Sequence, residues 1–262
     1  MRRNGLALLA AGVALASFAT RAEVKTKEVQ YKQGSTPLQG FVAWDDAAKG
    51  KRPGVLVIHE WWGHNEHARK QAQRLAEAGY VGFALDMYGK GKATQHPEDA
   101  GKMATELNKD PKTVKARFDA ALAQLKKDPH VDRKKIAVVG YCMGGTIALA
   151  MAAGGEDLDA VGAFHAGLQN VPKPKKGQVK PRILLNTGAA DPMAPQAAVD
   201  AFKQLFEEAG AKVEVVSYPG AKHGFTNPDA DKAGMPALAY SAEADKESWA
   251  NTMAMFKEVF GG

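Results

Sequence analysis

The sequence predicts an α/β fold, a mostly parallel central sheet flanked by helices and opened by antiparallel N-terminal strands. Three observations predict it. Continuous apolar runs at 53–59, 80–85, 135–139, 158–164 and 182–187 suit strands buried on both faces. Segments with helical spacing of apolar residues separate several of them, and strand, helix, strand in succession implies right-handed parallel crossovers. The first two strand-like segments instead alternate apolar and polar residues, the pattern of antiparallel strands with one wet face.

In chain order, Met1-Arg2-Arg3-Asn4 is basic, 5–19 is apolar, and Thr20-Arg21-Ala22 offers small residues at the two positions a signal peptidase reads, so residues 1–22 read as a secretory signal peptide. The apolar run is shorter than the roughly 20 residues of a spanning helix, which leaves no stable membrane anchor after cleavage and a periplasmic or secreted protein. Residues 24–31 and 38–44 form a hairpin around Gly34-Ser35-Thr36-Pro37, and 53–59 is a central strand. Asn65 caps a helix that buries Ala68, Ala72, Leu75 and Ala76 and stops at Gly79, after which 80–85 is again strand. Residues 86–101, rich in Gly, Lys and Pro, read as a long surface loop. Asp110-Pro111 starts a helix by cap and first-turn proline, with Val114, Phe118, Ala121, Leu122 and Leu125 inward, and Asp128-Pro129 ends it. After the strand and helix of 135–146 come strands at 158–164 and 182–187, a helix at 196–209, a strand at 213–218 and a last helix with Trp249, Met253, Phe256 and Phe260 on one stripe. No repeat or linker interrupts 23–262, which is expected to form a single catalytic domain, as α/β chains of 262 residues commonly do.

Signal cleavage would remove three of the 35 basic residues and none of the 29 acidic ones, lowering the net charge from +6 to +3. Scattered charges of that balance give no basic stripe and argue against nucleic acid as a partner, and the Lys173-Pro174-Lys175-Lys176 run is a solvated loop. The single cysteine, Cys142, cannot make an internal disulfide. A lone cysteine is ordinarily a small buried hydrophobe, but in an exported chain an idle thiol is an oxidation liability, which favours a working one.

Its setting supports work. Gly140-Tyr141-Cys142-Met143-Gly144 has the form Gly-x-nucleophile-x-Gly, a strand-to-helix turn that lifts a reactive atom clear of the sheet. The helix N-terminus beyond it favours thiolate. Asp191 and His223 follow two later strands at the same, carboxyl edge, where open α/β sheets bind ligands. Nucleophile, acid, histidine is the triad order of the α/β-hydrolase fold.

On these residues the chain resembles the dienelactone hydrolase family of α/β-hydrolases, cysteine-nucleophile enzymes that open lactones and esters. The resemblance rests on Val57-Ile58-His59-Glu60-Trp61-Trp62-Gly63, Leu85-Asp86-Met87-Tyr88, the cysteine elbow, Asp191-Pro192 and His223-Gly224-Phe225-Thr226-Asn227-Pro228. It implies Cys142 as nucleophile, His223 as base oriented by Asp191, and Glu60 as a carboxylate that contacts the resting thiol. A carboxylate there opposes thiolate while His223 and the helix dipole favour it, so either a preformed thiolate–imidazolium pair or a thiol gated by Glu60 is open, gating being expected for an exported enzyme. The backbone N–H groups of Trp61 and Met143 would form the oxyanion hole. Trp62, Tyr88 and Phe225 are expected to line the pocket; His165, also at a strand end, is either lining or a satisfied structural histidine. The expected partner is a small-molecule ester or lactone, with no cofactor, acting on a monomer or homodimer. Where family members carry arginine just after the catalytic histidine to hold a substrate carboxylate, this chain has Thr226-Asn227-Pro228, so a neutral ester or lactone is in view unless Lys90, Lys92 or Lys222 substitutes.

Two rival readings remain. His59, Glu60, His64, Glu66 and His67 could be metal ligands, although a zincin helix needs His, Glu, two residues and His, and Gly63 occupies the second histidine position. The scaffold could also serve a non-catalytic small-molecule binding protein, against which the intact triad weighs.

Overall fold

The alternating N-terminal segments become a hairpin of β1 (Val24–Gln33) and β2 (Thr36–Asp45). The two pair antiparallel from Val24 opposite Asp45 to Gln33 opposite Thr36. The two-residue turn puts Gly34 first with φ +56°, as a type II′ turn requires. The computed structural model describes residues 22–261, so the predicted signal peptide, apart from Ala22, lies outside the described residues.

The remaining strands are β3 (Arg52–Ile58), β4 (Val81–Leu85), β5 (Val131–Tyr141), β6 (Ala160–Phe164), β7 (Arg182–Gly188) and β8 (Val213–Tyr218). They complete an eight-stranded sheet in the order β1-β2-β4-β3-β5-β6-β7-β8. Its first two pairings are antiparallel and the other five parallel, which is the α/β-hydrolase arrangement expected. The helices are α1 (Glu66–Glu77), α2 (Pro97–Asn108), α3 (Pro111–Lys127), α4 (Met143–Ala153), α5 (Gln196–Glu208) and α6 (Ala242–Phe260). Strand periodicity sorts the core into two faces. Leu56 and Ile58 of β3 pack with Phe118 and Leu125 of α3, Ile147 of α4 and Phe206 of α5. Val55 and Val57 pack with Ala72 and Leu75 of α1 and with Met255 and Phe256 of α6.

Four expectations need correction. The stretch 86–101 is not loop throughout: α2 begins at Pro97, with proline in its first turn and Glu98 and Asp99 behind it. Only Ala100 and Leu107 are buried on it, so its apolar stripe is too thin to register as periodicity. Strand β5 starts four residues before its apolar run, because Val131 and Asp132 pair with Arg52 and Pro53 before a register shift lets Ile136 meet Gly54. Conversely, β6 begins only at Ala160. On α6 the predicted stripe does pack on the core, with Phe256 and Phe260 buried and Trp249 and Met253 half-buried, but the inward line also takes in Ala244, Ser248 and Thr252. Its two hydroxyls are hidden because Thr252 Oγ1 donates to the Ser248 carbonyl at 2.8 Å and Ser248 Oγ to that of Asp245 at 3.1 Å.

Candidate active site

At the end of β5 the chain turns into α4 with no intervening loop, and Cys142 at the turn has φ +54°, a left-handed conformation costly for any residue with a β-carbon. The flanking glycines allow it. A β-carbon on Gly140 would collide with the carbonyl of Gly144, and one on Gly144 with the carbonyl of Ile58. The start of α4 therefore lies against the end of β3 with no side chain between, which brings Met143 beside the β3 loop that carries Glu60 and Trp61. The N–H of Met143, in the first turn of α4, has no intrahelical acceptor. Among the described residues neither it nor the N–H of Trp61 is taken by another group.

The loops after β7 and β8 bring Asp191 and His223 together. Both are buried, and His223 Nδ1 donates to Asp191 Oδ2 at 2.9 Å. Asp191 Oδ1 accepts the N–H of Met193 at 2.8 Å, which fixes the carboxylate in its turn. With Nδ1 so engaged, Nε2 is left buried without a hydrogen bond among the described residues, on the side of Cys142. Burial disfavours charge on this imidazole, but neighbouring Cys142 and the Asp191 carboxylate outweigh burial and push its pKa up to about 10.

Glu60 is buried, but its Oε2 accepts from Asn227 Nδ2 at 2.6 Å and stands 3.7 Å from His67 Nδ1. Among the described residues no hydrogen bond joins it to the Cys142 thiol. Asn227 belongs to the segment after His223 that the sequence marked as departing from the family pattern. Its pairing with Glu60 spans 167 positions and has no local signature.

Tyr88 does not simply line a pocket. Its hydroxyl donates to the Trp61 carbonyl at 2.9 Å and touches Met143 Sδ at 3.3 Å, so one phenol bridges both residues expected to supply the oxyanion hole. With His67, Gln95, His96, Asn227 and Lys232, Trp62 lines a cleft of about 860 Å³ whose lining includes none of Cys142, Asp191 and His223. That lysine is paired with Asp229 at 2.7 Å. Phe225, by contrast, is fully buried against Tyr218, Ala221 and Ala244, and His165 is fully buried too; neither lines an opening.

The histidines of the entry loop do not converge. His59 Nε2 accepts the N–H of Met87 at 3.1 Å, leaving its proton on Nδ1 to donate to the Glu60 carbonyl at 2.5 Å. His67 turns instead to Thr226 and Gln71. Gly63, at φ +94°, breaks the helix a zincin needs, and among the described residues no three His, Cys, Asp or Glu side chains are grouped to hold a metal ion.

The sequence profile of the dienelactone hydrolase family matches residues 38–260. Among curated proteins, "Protein usf" of Aquifex pyrophilus is 32% identical over 88% of this chain and 97% of its own length. A protein of Aquifex aeolicus with a provisional carboxymethylenebutenolidase name is 29% identical over 87% of this chain and 96% of its own. Among solved structures, the dienelactone hydrolase-like promiscuous phosphotriesterase P91 from metagenomic libraries superposes with a TM-score of 0.84 at 32% identity, covering 90% of this chain and 98% of its own.

Proposed function

This chain belongs to the dienelactone hydrolase family and is a hydrolase of the carboxylic ester or lactone type, and on that premise we propose that it works through a Cys142-His223-Asp191 triad and a thioester acyl-enzyme. One observation carries the reading: a buried imidazole fixed by a carboxylate at 2.9 Å presents an unpartnered Nε2 toward a cysteine raised on a strained elbow. Cys142 Sγ attacks the carbonyl carbon, and the Trp61 and Met143 N–H groups hold the developing oxyanion. The tetrahedral adduct collapses as His223 gives its proton to the leaving alkoxide. His223 then takes a proton from water, whose oxygen attacks the thioester, and keeps it as the acid leaves and sulfur departs as thiolate, which restores the starting pair.

The engagement of Glu60 by Asn227 favours a preformed thiolate–imidazolium pair over a thiol gated by Glu60. A neutral substrate is favoured as well. Residue 227 is asparagine and donates to Glu60, while Lys90, Lys92 and Lys222 are exposed, Lys222 donating to the Pro236 carbonyl at 2.9 Å. We take the enzyme to act in the periplasm or outside the cell, from the character of residues 1–22.

The test is a panel of chromogenic neutral esters and lactones, set beside carboxylate-bearing ones. Cys142→Ala should lose at least about 10³-fold in rate, the scale of triad removal. Undiminished hydrolysis in that variant would end the mechanism, and preference for the anionic substrates would end the claim of neutrality.

A further inference from the structure

Among the described residues two non-glycine residues have positive φ, Cys142 at +54° and His165 at +40°, and they are hydrogen-bonded to each other. His165 follows β6 directly, and its own N–H donates to the Asn186 carbonyl at 2.8 Å. Its Nδ1 accepts the N–H of Cys142 at 3.1 Å, sharing it with the Phe164 carbonyl at 3.0 Å. A ring nitrogen that accepts carries no proton, so the proton of this neutral imidazole is on Nε2, which donates to Thr226 Oγ1 at 2.8 Å. Thr226 lies three positions beyond His223. One ring thus spans the elbow that carries the nucleophile and the loop that carries the base, edge-to-face with His223 at a centroid distance of 5.2 Å.

We propose that His165 is a positioning residue that sets the spacing and aim of Cys142 relative to His223, and that it does so in one tautomer, Nδ1 accepting from Cys142 and Nε2 donating to Thr226. This rests on the catalytic reading above. A ring that merely filled space would need neither feature of this one. The Phe164 carbonyl alone would satisfy the Cys142 N–H, so the second acceptor serves to fix the direction of that N–H, and with it the peptide plane from which Sγ projects. A backbone held at positive φ in a residue with a β-carbon persists only where its surroundings over-determine it, and here hydrogen bonds from three segments do so. The Thr226 hydroxyl then selects the tautomer, as the partner of one ring nitrogen selects the role of the other. Burial, the charge of nearby His223 and that of His67 keep the ring neutral, its pKa well below the ordinary value.

The assignment is checked on the intact enzyme by long-range 1H–15N correlation of its imidazoles. His165 should show the neutral pattern with the proton on Nε2; a proton on Nδ1 overturns the proposal, whatever the activity. Thr226→Val removes the acceptor while keeping the shape. It should lower kcat about fivefold to twentyfold with KM within about twofold, as loss of one buried hydrogen bond acting on the transition state would. It should also slow iodoacetamide alkylation of Cys142 in parallel, and Thr226→Ser should restore both rates. If Cys142→Ala silences the enzyme while Thr226→Val leaves both rates unchanged, this inference falls and the triad stands. Full turnover in Cys142→Ala would remove the triad and this inference together.

Discussion

His165 and His223 are both buried, their rings touch, and their affinities for a proton lie on opposite sides of the ordinary histidine value. Burial penalises charge on each, so burial cannot be what separates them. The partners do. His223 faces the Asp191 carboxylate and Cys142, whereas His165 faces an amide N–H and a hydroxyl. His59, on the other side of the elbow, repeats the neutral pattern between the Met87 N–H and the Glu60 carbonyl. The site therefore contains one imidazole built to hold charge, set among others that position backbone.

Breaking the charged side should have the largest effect. Asp191→Asn keeps the shape of the turn, but its amide can donate to Nδ1 and impose the wrong tautomer on His223. The variant should fold and lose about 10³- to 10⁴-fold in kcat, measured on a chromogenic ester. It would make His223 a further neutral histidine beside His165 and His59. A loss below about tenfold would mean that the difference between the two rings does not come from Asp191.

How much of this was legible beforehand follows the range of the interactions. The strands, the cap at Asn65, the elbow glycines and the order Cys142, Asp191, His223 are carried by local patterns, and the structure has the cap and the elbow turn where the sequence placed them and every predicted strand, β5 and β6 with shifted starts, with Asp191 and His223 hydrogen-bonded. Helix α2 was missed because its burial is too slight to leave a stripe. Thr226 and Asn227 were visible only as departures from a family pattern. Their partners, His165 and Glu60, are 61 and 167 positions away, and no spacing rule reaches across that. The hydrogen bond of Tyr88 has no local signature for the same reason: its acceptor, Trp61, is brought to it by the pairing of β3 with β4.

The neutral side should show itself in acid. His59 and His165 have pKa values lowered chiefly by burial, and burial lowers that of His64 to about 4. The unfolded chain, titrating near the ordinary value of 6.5, binds protons that the folded one refuses. The stability these residues permit is therefore complete above pH 6.5 and is lost as pH falls below it, the window for His64 closing near 4. At pH 5 the loss is at most about 2 kcal/mol for each histidine. The urea midpoint should fall clearly from pH 7 to pH 5, and a constant midpoint would contradict the neutral assignment.

The smallest effect expected is the most selective. Tyr88 stacks obliquely on His59 with centroids 5.0 Å apart and holds the Trp61 carbonyl through its hydroxyl, so it belongs to the neutral, positioning side. Tyr88→Phe keeps the ring and its packing and removes one hydrogen bond, a change of about 1 kcal/mol or about fivefold in rate. If the hydroxyl serves to aim the Trp61 N–H, the loss falls on kcat for ester hydrolysis, where an oxyanion must be held. It spares iodoacetamide alkylation of Cys142, which displaces iodide at a saturated carbon and forms no oxyanion. Equal slowing of both reactions would place Tyr88 with the charged pair instead, acting on the thiolate itself, and the division of the site into a charged couple and a neutral frame would have to be redrawn at this residue.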